Sequence, residues 1–182
     1  TLLFSATYPL AIAKLSAQFM KQPVQITVQA QHAEGKIEQR WYEVKNSERL
    51  HVVSQLLNHF RPESSIAFCN TKQQCRDLVG VLQAQGFSAL ALYGELEQRE
   101  RDQVLVQFAN RSCSVLVATD VAARGLDIAN LAAVINVDVT PDPEVHIHRI
   151  GRTGRGDAQG LALNLASMDE MGYVGKIEVL EG

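Results

Sequence analysis

The chain has 182 residues, of which 46% are hydrophobic and 20% charged, and its formal net charge at pH 7 is −3. This composition is typical of a globular domain with a core of its own. The slightly acidic balance excludes a general attraction to polyanions, so a nucleic-acid ligand would need a local basic groove.

Two further features of the composition concern location. No apolar run approaches the length of a membrane span, and the first residues show no signal-peptide pattern. The three cysteines form no Cys-x-x-Cys pair, which favours a reducing compartment. We therefore expect a cytoplasmic protein that does not enter a membrane.

The first thirty-odd residues differ in pattern from the rest of the chain. Residues 1–9 ("TLLFSATYP") predict a strand that ends in a loop, residues 10–20 an amphipathic helix, and residues 24–28 another short strand. The polar stretch 29–36, which contains Gly35, predicts a linker.

We place a boundary at this linker, between a first segment of residues 1–33 and a domain of residues 34–182. The first segment is too short for its own core and must pack on something else. In the domain, apolar runs of strand length with little alternation indicate strands that are buried on both faces. These runs are 65–68, 88–93, 114–119, 132–137 and 161–166, and an alternating stretch at 36–45 predicts a further strand that could lie at an edge.

Stretches with helical spacing lie between these runs. Ser47 is a candidate N-cap for a helix over 48–59, and Thr71 is one for a helix over 72–84. A third amphipathic stretch covers 97–110. This alternation predicts an α/β fold, in which right-handed βαβ crossovers build a parallel sheet with helices on both faces.

Polar residues and glycines follow four of the predicted strands. Because doubly wound sheets bind ligands at the carboxyl ends of their strands, these residues should converge on one rim. Each alone could be a turn glycine or a helix cap, but four strand ends together favour a site. The residues are Asn70 and Thr71; Gly94; Thr119, Asp120, Arg124, Gly125 and Asp127; and the stretch "HRIGRTGR" at 148–155. The charged helix after Gly94 adds Gln98 and Arg101 to this rim.

The stretch "HRIGRTGR" holds Arg149, Arg152 and Arg155 at every third position. On a helix, residues three apart lie about 300° round the axis, so the guanidinium groups would roughly share a face. They would repel one another unless an anion lay among them, and guanidinium forks suit phosphate. The alternative is a solvated arginine face.

Other classes of site lack their residues. His146 and His148 point different ways on a helix, and no Cys, Asp or Glu arrangement supports them, so we expect no metal site. No Gly-x-x-x-x-Gly-Lys-Ser/Thr loop occurs, so a phosphate-cradling loop is missing. No Gly-x-Gly-x-x-Gly follows a strand, which weakens a dinucleotide-binding hypothesis.

Taken in order, these stretches resemble the motifs of the DEAD-box RNA helicases. "SAT" at 5–7 is similar to motif III, "AFCNTK" at 67–72 to motif IV, and "GELEQRER" at 94–101 to the segment with a Gln-x-x-Arg pattern. "VATDVAARGLDI" at 117–128 resembles motif V, and "HRIGRTGR" resembles motif VI. The resemblance covers nearly the whole chain, and the sequences of these motifs are most similar to those of the bacterial DbpA-type members.

The resemblance implies a RecA-like fold of the P-loop NTPase class, with a parallel sheet between two layers of helices. Residues 34–182 would be the C-terminal RecA-like domain, and residues 1–33 the tail of the first domain with a linker. In this family ATP is hydrolysed in the cleft between two such domains, and RNA crosses both. The chain lacks the phosphate-binding loop, so we expect it to be inactive without the N-terminal RecA-like domain.

The resemblance also implies a role for each matching residue. Arg152 and Arg155 would be arginine fingers on the γ-phosphate of ATP, whose Mg²⁺ the missing domain would mainly hold. Asp127 would hold the nucleotide ribose, and Gly125 would allow close backbone approach. Contacts to the RNA backbone, with little sequence preference, would come from Asn70, Thr71, Gly94, Gln98, Arg101 and Thr119. Coupling between the domains would involve Ser5, Thr7, Asp120, Arg124, His148 and Arg149.

Three positions depart from the family pattern. Glu95 stands where Asp is usual, His146 where an aromatic residue is usual, and Asp157 where glycine is usual. These departures concern the fine affinity for RNA.

Two hypotheses of function stay open at this point. One is half of an ATP-dependent RNA helicase, for which the DbpA-type resemblance implies ribosomal RNA and ribosome assembly. The other is a self-standing module that binds RNA or phosphate without catalysis. Residues 2–28, severed from their usual neighbours, could pack back on the domain or mediate association, and we expect them to be mobile or exchanged.

Overall fold

The computed structural model describes residues 2–3, 24–25, 30–32, 35–154 and 159–181. Its strands are β1 (Leu2–Leu3), β2 (Val24–Gln25), β3 (Ala30–His32), β4 (Gly35–Glu43), β5 (Ser65–Phe68), β6 (Ala89–Leu92), β7 (Val115–Ala118), β8 (Ala133–Asn136) and β9 (Gly160–Ala166). Its α-helices are α1 (Arg49–Phe60), α2 (Lys72–Ala84), α3 (Gln98–Ala109), α4 (Asp120–Ala123), α5 (Pro143–Ile150) and α6 (Met171–Glu181). A 3₁₀ turn (Met168–Glu170) precedes α6.

Six strands form a parallel sheet in the order β4-β9-β8-β5-β7-β6, and β3 pairs antiparallel with β4. β5 lies between β7 and β8, so the carboxyl ends of these three strands meet at one edge of the sheet. Parallel neighbours need crossover connections, which the helices between the strands supply. The predicted α/β fold with a parallel sheet is confirmed.

Helices cover both faces of the sheet, because alternate side chains of each strand point to opposite sides. In β5, Ala67 packs in a core with α1 and α2, whereas Ile66 and Phe68 pack in a second core with α3 and α4. α5 lies on this second side, where Ile150 packs on Ala162 of β9. The expected arrangement in three layers is therefore confirmed.

Most element bounds agree with those predicted from the sequence to within two residues. Thr71 caps α2 as predicted, since its Oγ1 accepts a hydrogen bond from the backbone N–H of Gln74 at 3.2 Å. The prediction of Ser47 as the cap of α1 is wrong. That helix begins one residue later, with Glu48 at the N-cap position and no side-chain cap bond, so Ser47 lies in the preceding turn.

The polar stretch 29–36 holds strand structure where a linker was predicted. β3 and the first residues of β4 pair antiparallel, with Gln31 opposite Lys36 and His32 opposite Gly35. Backbone pairing of this kind does not require apolar side chains, which is why the hydrophobic pattern missed it. The boundary between residues 1–33 and 34–182 stays a prediction.

The N-terminal strands form a small sheet of their own. β1 and β2 pair in parallel, with Leu2 opposite Val24 and Leu3 opposite Gln25, and both lie within stretches predicted to be strands. The helix predicted over 10–20, and with it Ser5 and Thr7, lies outside the described residues. Within the described ranges, every helix is too short or too polar to span a lipid bilayer.

Candidate functional site

A small pocket lies at the rim where β5, β7 and β8 end. The end of β5, the α4 region and the exposed side of α5 contribute to it. Its lining residues are Phe68, Asp120, Ala123, Arg124, Gly125, Val145, His148, Arg149 and Arg152. The predicted convergence of strand ends thus brings six of the expected site residues round one pocket.

Arg149 is the centre of this rim, and its side chain is only 1% exposed. Its Nε and Nη2 donate to the two carboxylate oxygens of Asp120 at 2.7 and 2.6 Å. Nη2 also donates to Asn70 Oδ1 at 3.0 Å, and Nη1 donates to Asp138 O at 2.7 Å and to Asn136 Oδ1 at 3.4 Å. An arginine has five N–H donors, and each of the five has an acceptor here. Arg149 therefore joins the ends of β5, β7 and β8.

Arg149 and Arg152 do not share a helical face, so the expectation from their spacing is wrong for this pair. α5 ends at Ile150 with Gly151 at the C-cap position, since glycine is a poor helix former. The chain then turns, with a hydrogen bond from the Arg152 backbone N–H to Arg149 O at 3.2 Å. Arg155 lies outside the described residues.

Arg152 is half-buried and points to a different set of acceptors. Its Nη1 donates to Leu126 O at 2.6 Å and to Ile128 O at 3.2 Å, and its Nη2 donates to Ala123 O at 3.3 Å. All three are backbone carbonyls at the end of α4 or in the loop after it. The guanidinium group of Arg152 thus donates its hydrogen bonds to neutral acceptors.

The turn that follows Arg152 is held tightly against the sheet. Thr153 Oγ1 donates to Leu131 O at 2.5 Å. Gly154 has a φ of +72°, and a Cβ there would lie 2.7 Å from Ile37 Cγ1. A Cβ on Gly160 would lie 2.5 Å from Gly154 N. The two glycines let the turn cross the start of β9 at a distance that no larger residue allows.

The segment that follows β7 holds further residues that were expected at this site. Thr119 caps α4, with its Oγ1 accepting from the Ala122 backbone N–H at 3.4 Å, so Asp120 is not the cap. Gly125 has a φ of +77°, and the space within 4 Å of the position that a Cβ would take is open. Arg124 and Asp127 are exposed beside it.

The pocket favours an anion. Among its lining residues in the described part of the chain the one carboxylate is Asp120, which Arg149 already neutralises. Arg124 and Arg152 leave the pocket with excess positive charge, although the chain as a whole is acidic. Guanidinium groups in such a setting suit phosphate or carboxylate ligands.

The residues expected to contact RNA have different hydrogen-bond partners. Asn70 joins the Arg149 network, and its backbone N–H donates to Asp138 Oδ2 at 2.8 Å. Arg101 reaches from α3 to Ala122 O at 3.2 Å. Gln98 is exposed and donates to Asp102 Oδ1 at 2.8 Å within α3. Thr71, Gly94 and Thr119 follow strands β5, β6 and β7 at the same edge of the sheet.

A buried cluster of charged side chains next to the rim was not predicted from the sequence. Arg49, at the start of α1, donates to Val137 O at 2.6 Å and lies 3.4 Å from Asp138 Oδ1. It also pairs with Glu170, which precedes α6. Asp138 Oδ1 accepts from Gln74 Nε2 at 3.0 Å as well. Asp138 directly follows the apolar run 132–137, so the rule that found Asn70 could have found it.

The second group that was missed is a set of polar side chains inside the apolar strands, Gln39, Asn136 and Asn164, which lie next to His146 of α5. His146 is fully buried and stacks on Trp41, with ring centroids 5.4 Å apart and planes 18° apart. Burial, and then the nearby charge of Arg149, lowers the pKa of His146 to about 3. Within the described residues, no three His, Cys, Asp or Glu side chains are grouped so as to hold a metal ion.

Comparison with known proteins assigns the fold and the motifs to a family. The family model of the helicase conserved C-terminal domain matches residues 48–157. The ATP-dependent RNA helicase DbpA of Escherichia coli (strain K12) is 49% identical over 170 residues, which are 93% of this chain and 37% of that protein. The ATP-dependent RNA helicase CshA of Listeria monocytogenes is 42% identical over 179 residues, or 98% of this chain and 34% of that protein.

A solved structure of similar extent agrees with these sequence matches. The C-terminal domain of the DEAD-box protein Dbp5 is 32% identical with a TM-score of 0.73, and the match covers 78% of this chain and 83% of that one. The RecA-like fold expected from the resemblance is thereby confirmed. The chain spans little more than a third of the length of the curated relatives that it matches. It belongs to the helicase conserved C-terminal domain family, as the C-terminal domain of a DEAD-box RNA helicase.

Proposed function

We propose that this chain is the second motor domain of an ATP-dependent RNA helicase, which completes an ATP site held mainly by a first RecA-like domain. The observation that carries the proposal is the Arg149 network. It ties Asn70, Asp120 and the helix of motif VI into one rim, beside a pocket with excess positive charge. The two bacterial relatives are both named as ATP-dependent RNA helicases, which supports the same activity.

The residues on the pocket side fit a nucleotide as substrate. Arg152 makes hydrogen bonds to neutral carbonyls, and an anionic phosphate is a stronger acceptor for a guanidinium group. Gly125 leaves its backbone accessible, and the exposed Asp127 carboxylate could accept from ribose hydroxyls. We assign Arg152 and Arg155 to the γ-phosphate, where arginine fingers stabilise the charge of phosphoryl transfer. The first domain would mainly hold Mg²⁺, and Arg124 and His148 would face it.

The other side of the rim fits an RNA backbone. Hydroxyl, amide and guanidinium groups there suit phosphates and 2′-hydroxyl groups, which carry no base sequence. We assign this contact to Asn70, Thr71, Gly94, Gln98, Arg101 and Thr119. The DbpA-type resemblance leads us to propose ribosomal RNA as the target and ribosome assembly in the cytoplasm as the setting.

The test is to join this chain to a first helicase domain and to measure ATP hydrolysis with and without RNA. We expect RNA-stimulated hydrolysis by the fusion and almost none by the chain alone. Arg152→Ala should lower kcat by about 10³-fold or more. Arg111→Ala is the matched control, because Arg111 is an exposed arginine that pairs with Glu63 away from the pocket.

Two results would contradict the proposal. Full ATP hydrolysis by the Arg152→Ala fusion would show that Arg152 is not an arginine finger. The chain alone could bind RNA as tightly as the fusion does, with no ATP hydrolysis by either protein. That result would favour a self-standing binding module instead.

A further inference from the structure

A row of buried side-chain amides crosses the sheet beneath α5. Asn136, Asn164 and Gln39 come from the neighbouring strands β8, β9 and β4, and each is at most 5% exposed. Asn136 Nδ2 donates to Asn164 Oδ1 at 2.6 Å, and Asn164 Nδ2 donates to Gln39 Oε1 at 3.4 Å. The row reaches His146, whose Nε2 lies 2.9 Å from the same oxygen of Gln39.

The hydrogen bonds of this row have a fixed direction. A carbonyl oxygen only accepts, so His146 donates to Gln39 from Nε2 and carries its ring proton there. With its Nδ2 turned to Gln39, Asn164 presents its oxygen to Asn136. Asn136 then presents its own oxygen on the far side, where Arg149 Nη1 lies at 3.4 Å. A reversed Asn136 amide would place N–H donors against the guanidinium group.

The orientation of the Asn136 amide matters because Arg149 is buried. A buried donor that loses its acceptor keeps its desolvation cost, and this cost is largest for a charged group. The same guanidinium group holds Asn70 at the end of β5 and Asp120 at the start of α4. A shift of Arg149 would therefore move residues on both sides of the rim.

His146 combines two functions at a position where the family usually has an aromatic residue. Its ring stacks on Trp41, as an aromatic side chain would. Its Nε2–H in addition supplies the donor that starts the row of amides. The histidine at this position is thus accompanied by polar side chains on the three adjacent strands β4, β9 and β8.

We propose that His146, Gln39 and Asn164 are positioning residues that act through Asn136 on Arg149. They hold the Asn136 amide in the one orientation that accepts from the guanidinium group. The effect on ATP hydrolysis rests on the proposed function, whereas the effect on Arg149 itself is a property of this chain.

The first test measures Arg149 directly in the isolated chain. The rate at which its Nε–H exchanges with water is followed by NMR on protein labelled with ¹⁵N-arginine. We expect Asn164→Leu to raise this rate about tenfold, since residues of one network couple at this scale. Leu163→Ala is the control, because Leu163 is the buried neighbour on the opposite face of β9 and lies in the other core. An unchanged rate in Asn164→Leu, or an equal rise in both variants, would overturn the proposal.

A second pair of variants keeps the test valid if Asn164→Leu does not fold. His146→Phe preserves an aromatic ring on Trp41 but removes the donor, and it should also speed the exchange of Arg149 Nε–H. His146→Gln retains a donor and should restore slow exchange. Slow exchange in His146→Phe would count against the proposal.

The consequence for activity is tested in the fusion with a first helicase domain. Asn164→Leu should lower kcat for RNA-stimulated ATP hydrolysis about tenfold, whereas Leu163→Ala should leave it within about twofold of the parent. Equal losses in both variants would contradict a positioning role. If the unsubstituted fusion does not hydrolyse ATP, the proposed function fails, and the NMR result still decides whether the row positions Arg149.

Discussion

Asp120 accepts two hydrogen bonds from Arg149, with Oδ1 2.7 Å from Nε and Oδ2 2.6 Å from Nη2. Asp120 starts the helix after β7, and Arg149 lies in the last turn of α5, after β8. The side chain of Arg149 is 1% exposed and that of Asp120 is 32% exposed. A bidentate pair of this kind fixes distance and orientation together, so motifs V and VI form one unit in this domain.

Removing the charge of Asp120 should destabilise the chain. Asp120→Asn keeps the size of the side chain but leaves the buried guanidinium group without its counter-charge. We expect the free energy of unfolding to fall by about 2 kcal/mol, below the range for a fully buried pair because Asp120 is partly exposed. Urea denaturation of the chain measures it. Asp127→Asn, an exposed carboxylate on the same loop, should change stability by less than about 0.5 kcal/mol, and equal effects of both would contradict this account.

Two glycines should respond to alanine with opposite signs. In Gly160→Ala the new Cβ would lie 2.5 Å from Gly154 N, so the turn of motif VI must move. We expect a loss of about 1–3 kcal/mol in the free energy of unfolding. Gly80 lies inside α2 with nothing within 4 Å of its Cβ position, and Gly80→Ala should stabilise by about 0.5–1 kcal/mol. Thermal denaturation gives the stability of the two variants relative to the parent chain. If Gly160→Ala is as stable as the parent, the turn at Gly154 packs less tightly on β9 than the distances indicate.

Arg101 should contribute one phosphate contact to RNA binding. Each phosphate contact on single-stranded nucleic acid adds about 0.7 to the slope of log K against log salt. In a fusion with a first helicase domain, Arg101→Gln should weaken RNA binding and lower this slope by about that amount. Arg99→Gln is the control, because Arg99 lies on the outer side of the same helix with Val106. A titration with labelled RNA at several salt concentrations distinguishes them, and equal slopes for both variants would exclude the contact.

The strands and the rim were predictable because each depends on local sequence. Apolar runs that are buried on both faces mark the inner strands, and polar residues after them led to Asn70 and Asp120. The partners of these residues were not predictable, since they come from distant positions. Arg49, for example, takes its acceptors from Val137 and Leu165, which lie 88 and 116 residues away. An arginine at the start of an amphipathic helix carries no local sign of such a role.

The arginine spacing shows where a local rule fails. Periodicity predicted one helical face for "HRIGRTGR", but Gly151 ends the helix between Arg149 and Arg152. The glycine was visible in the sequence, and its effect depends on whether packing continues the helix. Here Thr153 Oγ1 donates a hydrogen bond to Leu131 O, which holds the chain against the sheet instead of continuing the helix. The two arginines separate for that reason into an inward and an outward role.

His146 should make the stability of the chain depend on pH in a defined window. Its pKa in the folded chain is lowered to about 3 from a usual value of 6.5, by burial and then by the charge of Arg149. The unfolded chain therefore binds a proton at a higher pH than the folded chain does. The stability that this residue contributes is complete above pH 6.5 and is lost as the pH falls towards 3. Between pH 7 and pH 5 the loss should be about 2 kcal/mol.

His146→Phe isolates this effect, because it retains a ring on Trp41 and cannot be protonated. Urea denaturation at pH 7 and pH 5 gives the difference in the free energy of unfolding for each protein. This difference should be about 2 kcal/mol smaller in the variant, whatever its stability at pH 7, since the other titrating groups are common to both proteins. An equal difference in the two proteins would mean that His146 accepts a proton within the folded chain. In that case the protonated ring would also donate from Nε2 to Gln39, and the hydrogen bond would not require a neutral histidine.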